Sequence, residues 1–290
     1  MSIIEKAAGR LEHRKLEVAP PFEVKAEAPD APETRSGSGH AARNENQKIH
    51  KTVEINLAHL HQLGMVTPDG GRSQGADEFR GIKRPLIKNA FSHEGEAIKH
   101  GNLIMVTSSL PGEGKTFCAI NLAMSIAMEM DHTVLLVDAD VARPTVLRTL
   151  GLMKPEAGLM DVLLDDKLDL ADVMLKTNVD TLTILPAGRN HRHATELLAS
   201  QTMSNLLTEI ANRYPDRIVI FDSPPILLTN EARVLAGQMG QIVLVVEAEK
   251  TTQHAVKDTL RQIETCANVN LLYNKTKAFP GGDYYGYYYN

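Results

Sequence analysis

Between Asn102 and Asn274, short aliphatic runs alternate with longer stretches in which apolar positions recur every third or fourth residue. The runs Leu103–Thr107, Thr133–Val137, Thr181–Leu185, Ile218–Phe221, Ile242–Val246 and Val269–Leu272 are β-branched or aliphatic and bounded by turn residues, the pattern of parallel strands buried on both faces. Between them, Thr116–Met130, Ala194–Tyr214 and Thr251–Cys266 carry helical spacing. Strand and helix in regular alternation predict an α/β fold: a mainly parallel sheet with helices on both faces and ligands at the carboxyl ends of the strands.

The first hundred residues read differently. Ile3, Ile4, Ala7, Ala8 and Leu11 space a short amphipathic helix over residues 2–16. From Glu17 to Gln47, Pro, Ala, Glu, Ser, Gly and Asn dominate, and too little apolar surface remains to offset ordering entropy, so a flexible linker is expected. A helix over Val53–Leu63 should end at Gly64, and another over Ala76–Phe91 should be kinked by Pro85. The chain therefore divides into a short helix and linker (1–47), a helical docking or oligomerisation segment (48–100), a core (101–275) and a tyrosine-rich tail (276–290).

Composition narrows the function. A net charge of −5 with dispersed basic residues gives no nucleic-acid footprint. Cys118 and Cys266 lie in apolar helical patterns without metal-ligand spacing, as reduced core thiols of a cytoplasmic protein would. The opening MSIIEKAAGRLEHRKLE is too charged for a secretory signal. Nor does any apolar run approach the roughly 18–20 residues that cross a bilayer. Association with the inner face of the membrane would then require a partner.

The chemistry begins where the first core strand runs into SSLPGEGKT and a helix. Strand, Gly-containing loop and helix are the context of a phosphate-binding loop. Pro111, Gly112, Glu113, Gly114, Lys115, Thr116 and Phe117 would cradle a nucleotide, with backbone N–H groups and Lys115 on the phosphates and the Thr116 hydroxyl on Mg²⁺. Ser109 stands where the first Gly of the pattern belongs, which is tolerable if its backbone angles are ordinary. A surface turn that happens to contain GKT is the competing explanation. Two acidic strand ends oppose it: Asp138 and Asp140 in LLVDADVARP, and Asp222 in IVIFDSPP. A carboxylate at the tip of a buried strand is costly unless a cation or water satisfies it, so Asp138 and Asp222 are the expected Mg²⁺ anchors beside Thr116. Asp140 is left either to accept a proton or to cap the next turn. Tyr284, Tyr285, Tyr287, Tyr288 and Tyr289 crowd the last seven residues behind a Gly281-Gly282 hinge. They read as phosphoacceptors, a docking peptide or a sticky strand.

Taken together, SSLPGEGKT, LLVDADVARP, LPAGRN, ELLAS, IVIFDSPPILL and YYGYYY resemble the bacterial tyrosine autokinases of capsule and exopolysaccharide assembly, over about residues 76–290. MSIIEKAAGRLE and DEFRGIKRPLIKNAF look most like the branch associated with exosortase systems. The resemblance implies a P-loop kinase fold, ATP and Mg²⁺ as cofactors, and phosphorylation of the tail tyrosines of neighbouring subunits, with Lys115, Asp138, Asp140 and Asp222 as catalytic residues. It implies further partners: a ring of copies of the chain, an integral-membrane polysaccharide chain-length determinant or copolymerase, and a tyrosine phosphatase. The family's Glu-x-x-Arg-x-x-Arg assembly helix is matched by Asp77, Arg80 and Lys83, losing guanidinium geometry at the last position. Ala142 replaces the family's usual Arg, with Arg143 next, and Glu231-Ala232 replaces Asp-Ala. Asn274 and Lys275 sit where related nucleotide-binding folds often contact the base, although a turn residue explains Asn274 more simply. Two other functions remain in play. A partitioning-type switch ATPase would normally carry a lysine where this chain has Leu110, and a degenerate nucleotide-binding adaptor would use the tail only for docking.

Overall fold

The alternation along each central strand sends successive side chains into two different cores. The computed structural model describes residues 51–91 and 98–277. The expected helix over 2–16, the linker and residues 278–290 of the tyrosine tail lie outside these residues. The six expected runs form β2 (Leu103–Ser108), β3 (Thr133–Asp138), β5 (Leu182–Leu185), β6 (Arg217–Asp222), β7 (Gln241–Glu247) and β8 (Val269–Asn274). Two further strands, β1 (Lys51–Val53) and β4 (Leu175–Thr177), complete a sheet of order β1-β4-β5-β3-β6-β2-β7-β8 among the described residues. Every pairing is parallel except β4 with β5. Ile104, Val106, Val134, Leu136, Ile218 and Ile220 enter one core, and Leu103, Met105, Leu135, Val137, Val219 and Phe221 the other, as strands covered on both faces require.

The first core packs under α2 (Gln74–Phe91) and α3 (Lys115–Ala127). All residues of α3 from Cys118 to Ala127 are buried, so this helix is apolar nearly all round. Its one buried amide, Asn121, is satisfied by Val66 N–H at 2.6 Å and by the Phe117 carbonyl at 2.7 Å. The second core packs under α8 (Gln201–Arg213) and α9 (Asn230–Ala236). Cys118 and Cys266 are both free and buried, and burial raises the Cys118 thiol to about 12.

Several expected boundaries move for local reasons. The helix anticipated over Val53–Leu63 is strand β1 followed by a shorter α1 (Leu57–Gln62). The Asn178 side chain holds both the N–H and the carbonyl of Ile55, at 2.8 and 3.0 Å, and Asn56 Oδ1 accepts from His59 N–H at 2.9 Å, so the helix starts only after Asn56. Gly64 follows its end at φ +75°, with Met65 N–H bonded to the Leu60 carbonyl. Helix α2 runs on through Pro85, which faces solvent. The single helix expected over Ala194–Tyr214 is α7 (Ala194–Leu198) and α8, broken where Ser200 Oγ donates to the Leu197 carbonyl and accepts from Met203 N–H. Short helices α4 (Val146–Thr149), α5 (Leu159–Leu164) and α6 (Leu170–Val173) fill the crossover between β3 and β4, and α10 (Gln253–Gln262) precedes β8. No helix among the described residues is long and apolar enough to cross a membrane.

Candidate active site

The loop between β2 and α3 is braced from three directions. Ser109 is fully buried, and its hydroxyl accepts from Thr259 Oγ1 of α10 at 2.8 Å. Among the described residues, the non-glycine residues at positive φ are His100, Glu249 and Lys275. Ser109 is not among them, so a serine replaces glycine there without backbone strain. Glu113 is also buried: its carboxylate accepts from Leu110 N–H at 2.7 Å and from the Thr251 hydroxyl. Its side chain therefore shapes the loop, leaving the backbone N–H groups as the groups that can meet phosphate. Phe117 packs against the first core and Pro111 is exposed on the loop.

The third brace comes from the end of β8. Asn274 Nδ2 donates to the Glu113 carbonyl at 2.8 Å, its Oδ1 accepts from Lys275 N–H at 2.9 Å, and Lys275 Nζ reaches the Gly112 carbonyl at 2.6 Å. Both polar ends of Asn274 are thus engaged in steadying the loop. Gly114 caps α3 at φ +99°, and a Cβ there would lie 2.1 Å from Asn274 Nδ2. The conformation favours glycine, and an added Cβ would have to displace the Asn274 amide.

Beneath the loop, Lys115 and three carboxylates converge. Lys115 Nζ lies 2.9 Å from Asp140 Oδ2 and 3.8 Å from Asp222 Oδ1. Thr116 Oγ1 donates to Asp222 Oδ2 at 2.7 Å and sits 3.0 Å from Thr145 Oγ1. Asp138 and Asp222 face each other in register at the ends of β3 and β6. Asp138 Oδ2 accepts from Val146 N–H at 3.0 Å. Asp140 Oδ1 accepts from Arg143 N–H at 3.1 Å, so Asp140 caps its turn as well as pairing with Lys115. Thr145 was not anticipated, because nothing in its spacing sets it apart from other threonines near turns.

Two oxygens in this cluster, Asp138 Oδ1 and Asp222 Oδ1, are buried without a hydrogen-bond partner. Burial, the Asp222 and Asp140 charges acting with it, pushes the Asp138 carboxyl up to about 7 against the pull of Val146 N–H and Lys115. Burial also raises Asp222, to about 6, although Lys115 and the Thr116 hydroxyl oppose it. Orphaned acceptors with raised pKa values are what a cation-binding pair looks like without its cation. No group of three or more His, Cys, Asp or Glu side chains among the described residues could hold a metal ion. Two carboxylates and one hydroxyl suit Mg²⁺, which keeps waters and phosphate oxygens in its shell.

The remaining candidates separate. Asp77 and Arg80 pair with each other on the outer face of α2. Lys83 does not join them: it is buried, its Nζ donating to the Ser125 carbonyl at 2.5 Å and pairing with Glu129 at 2.6 Å. The expectation of a three-residue assembly motif is corrected at this position, since α3 consumes the cation within the same chain. Ala142 and Arg143 are exposed, and Glu231 accepts from the Thr195 hydroxyl at 2.6 Å. In LPAGRN, Arg189 Nε meets buried Asp161 at 2.5 Å. Burial alone would raise the Asp161 carboxyl, but the Arg189 side chain and the N–H groups of Arg189 and Gly158 hold it below its ordinary value.

Comparison with known proteins agrees with this geometry. The AAA domain family matches residues 101–275. The tyrosine-protein kinase YwqD of Bacillus subtilis (strain 168) is 34% identical over 187 residues, covering 64% of this chain and 76% of YwqD. The kinase domain of the Escherichia coli tyrosine kinase ETK superposes with a TM-score of 0.59 at 25% identity, over 73% of this chain and 81% of that domain. The chimerical protein CapA2B2 does so with a TM-score of 0.60 at 26% identity, over 76% of this chain and 100% of the chimera. The β2–α3 loop, the paired acidic strand ends and these likenesses converge: the chain belongs to the AAA domain family and, within it, to the bacterial tyrosine-protein kinases.

Proposed function

We propose that the chain transfers the γ-phosphoryl group of ATP to tyrosine hydroxyls of its own C-terminal cluster, Tyr284, Tyr285, Tyr287, Tyr288 and Tyr289. The observation that carries this reading is the pair of buried oxygens without a hydrogen-bond partner on Asp138 and Asp222, beside Thr116 and Lys115. Asp138, Asp222 and Thr116 would hold Mg²⁺, which when bound would supply positive charge against the negative charge developing on the transferred phosphoryl group. Lys115, which otherwise pairs with Asp140, turns to the outer phosphates. Asp140 then accepts the phenolic proton as the tyrosine oxygen bonds to phosphorus and ADP departs. Arg143 N–H on Asp140 Oδ1 keeps that carboxylate oriented when Lys115 leaves.

Transfer between subunits, a ring of copies using Asp77 and Arg80, and activation by an integral-membrane polysaccharide chain-length protein complete the proposal, with a tyrosine phosphatase resetting the tail. They are supported by the motif resemblance and by the likeness to the kinase domains. The competing switch-ATPase reading lacks its signature lysine, because Leu110 occupies that position. Incubating the full chain with ATP and Mg²⁺ and measuring its intact mass separates the readings. Phosphate on the tail, absent in Lys115→Met, is the expected result. ATP turnover with an unmodified tail would favour the switch, and neither activity would favour the adaptor. Mixing Lys115→Met chains with active chains that lack tail tyrosines tests the route: an unlabelled tail on the inactive subunit would rule out transfer between subunits.

A further inference from the structure

A cavity of about 180 Å³ opens beside Asp138, walled by Leu147, Leu152 and Pro186 and bordered by Arg148 and Lys154. That is room for one ring-bearing side chain, well short of the roughly 300–1,000 Å³ of sites that take a drug-sized ligand. The apolar walls suit the ring of a tyrosine, and Asp138 at one end sets that ring beside the transfer site. Arg148 and Lys154 stand apart from this chemistry. Both are exposed, and neither side chain has a hydrogen-bond or ion-pair partner among the described residues.

These two cations face a site otherwise dominated by negative charge. Asp138, Asp140 and Asp222 surround a single lysine, and a bound nucleotide adds phosphates. Among residues 278–290 the only acidic side chain is Asp283, so the unmodified tail offers the two cations little. Each phosphotyrosine brings about −1.5 to −2 charges and three acceptor oxygens. With several tyrosines adjacent, the first phosphate should repel the acidic site and slow those that follow. Neighbouring residues of an extended tail are about 3.3–3.6 Å apart along the chain, so a phosphate one or two positions from the acceptor falls within reach of long basic side chains at the rim.

We propose that Arg148 and Lys154 form a phosphotyrosine-reading rim, so that a tail already phosphorylated at one tyrosine is a better acceptor at the next. They are specificity-determining residues: they bind the neighbouring phosphate and take no part in the transfer itself. The inference rests on the kinase reading and adds an order to it, in which the first modification primes those after it.

The test uses the full chain carrying Tyr284→Phe, Tyr285→Phe, Tyr287→Phe, Tyr288→Phe and Tyr289→Phe as the enzyme. Two synthetic acceptors span residues 278–290, one with Tyr287→Phe and one with phosphotyrosine at 287, so the available hydroxyls are the same. Two phosphate–cation contacts at an exposed rim are expected to raise kcat/KM for the phosphopeptide about tenfold. In Arg148→Ala/Lys154→Ala the ratio between peptides should fall to about one, and in Arg148→Glu/Lys154→Glu below one. Equal or poorer transfer to the phosphopeptide with both cations present would overturn the rim, as would a preference that survives their removal. Transfer to neither peptide, together with an unmodified tail in the unsubstituted chain, would instead overturn the kinase reading and the rim with it.

Discussion

Gly114→Ala should weaken nucleotide binding through strain in the loop and displacement of a neighbour, without touching any phosphate ligand. Gly114 lies at φ +99°, where an L side chain costs about 1–2 kcal/mol. The added Cβ would stand 2.1 Å from Asn274 Nδ2, so that amide must leave the Glu113 carbonyl it holds at 2.8 Å. Loss of the bond adds about 1 kcal/mol. The total, about 2–3 kcal/mol, corresponds to about 30- to 150-fold in affinity if it falls wholly on the loop competent to bind. Calorimetric titration of ATP·Mg²⁺, with urea unfolding alongside, measures both possible destinations of the strain. Asn274→Ala alone should cost about 1 kcal/mol by losing the same hydrogen bond. Because the two changes share that bond, the double variant should cost about 2–3 kcal/mol, less than the sum of the singles. A Gly114→Ala cost under about 1 kcal/mol, or strict additivity, would refute the account of the loop as clamped by β8.

Two further outcomes follow from buried charges. The Asp138 carboxyl is raised to about 7, so the folded chain without Mg²⁺ or nucleotide keeps a proton that the unfolded chain has already released above its ordinary pKa. That stabilisation is complete below the unfolded value and is lost as pH rises through about 7. Asp138→Asn cannot ionise, so its Tm advantage over the parent should widen by several degrees between about pH 5 and pH 8; a flat or narrowing difference in scanning calorimetry would count against the burial argument. On α2, Lys83→Ala should cost about 1–3 kcal/mol in urea unfolding, because it strands the Ser125 carbonyl and removes the partner of the half-exposed Glu129 carboxylate. Asp77→Ala, an exposed pair member, should stay within about 0.5 kcal/mol; equal costs would show that Lys83 is no more internal than its neighbours.

Much of the fold was legible because its signals are local. The six aliphatic runs alternate between two cores, and their composition alone marks them as strands. By contrast, β1 (KTV) and β4 (LKT) are three residues each, too short to carry a pattern, and they are strands only because they pair. The break between α7 and α8 depends on a Ser200 hydroxyl that bonds in both directions, a choice periodicity cannot register. Lys83 could have been read correctly: it shares the buried stripe of Ala76, Phe79 and Leu86, whose spacing places it beneath the helix. The family pattern drew attention to its charge, whereas the helical period identified its face.

What the sequence determined by itself was the existence of the site. A Gly-rich turn between strand and helix, and aspartates at strand ends, are set by covalent spacing and by the local sterics of glycine, which act over a few residues. Tertiary structure decided how those residues meet. Asp138 faces Asp222 because β3 and β6 lie side by side in register. Glu113 turns inward to Thr251 and Asn274 closes on Gly114 because the segments bordering β7 and the end of β8 reach the loop. Such contacts join residues far apart in sequence, and no periodicity or turn rule encodes which of them will share a carboxylate, a carbonyl or a missing Cβ.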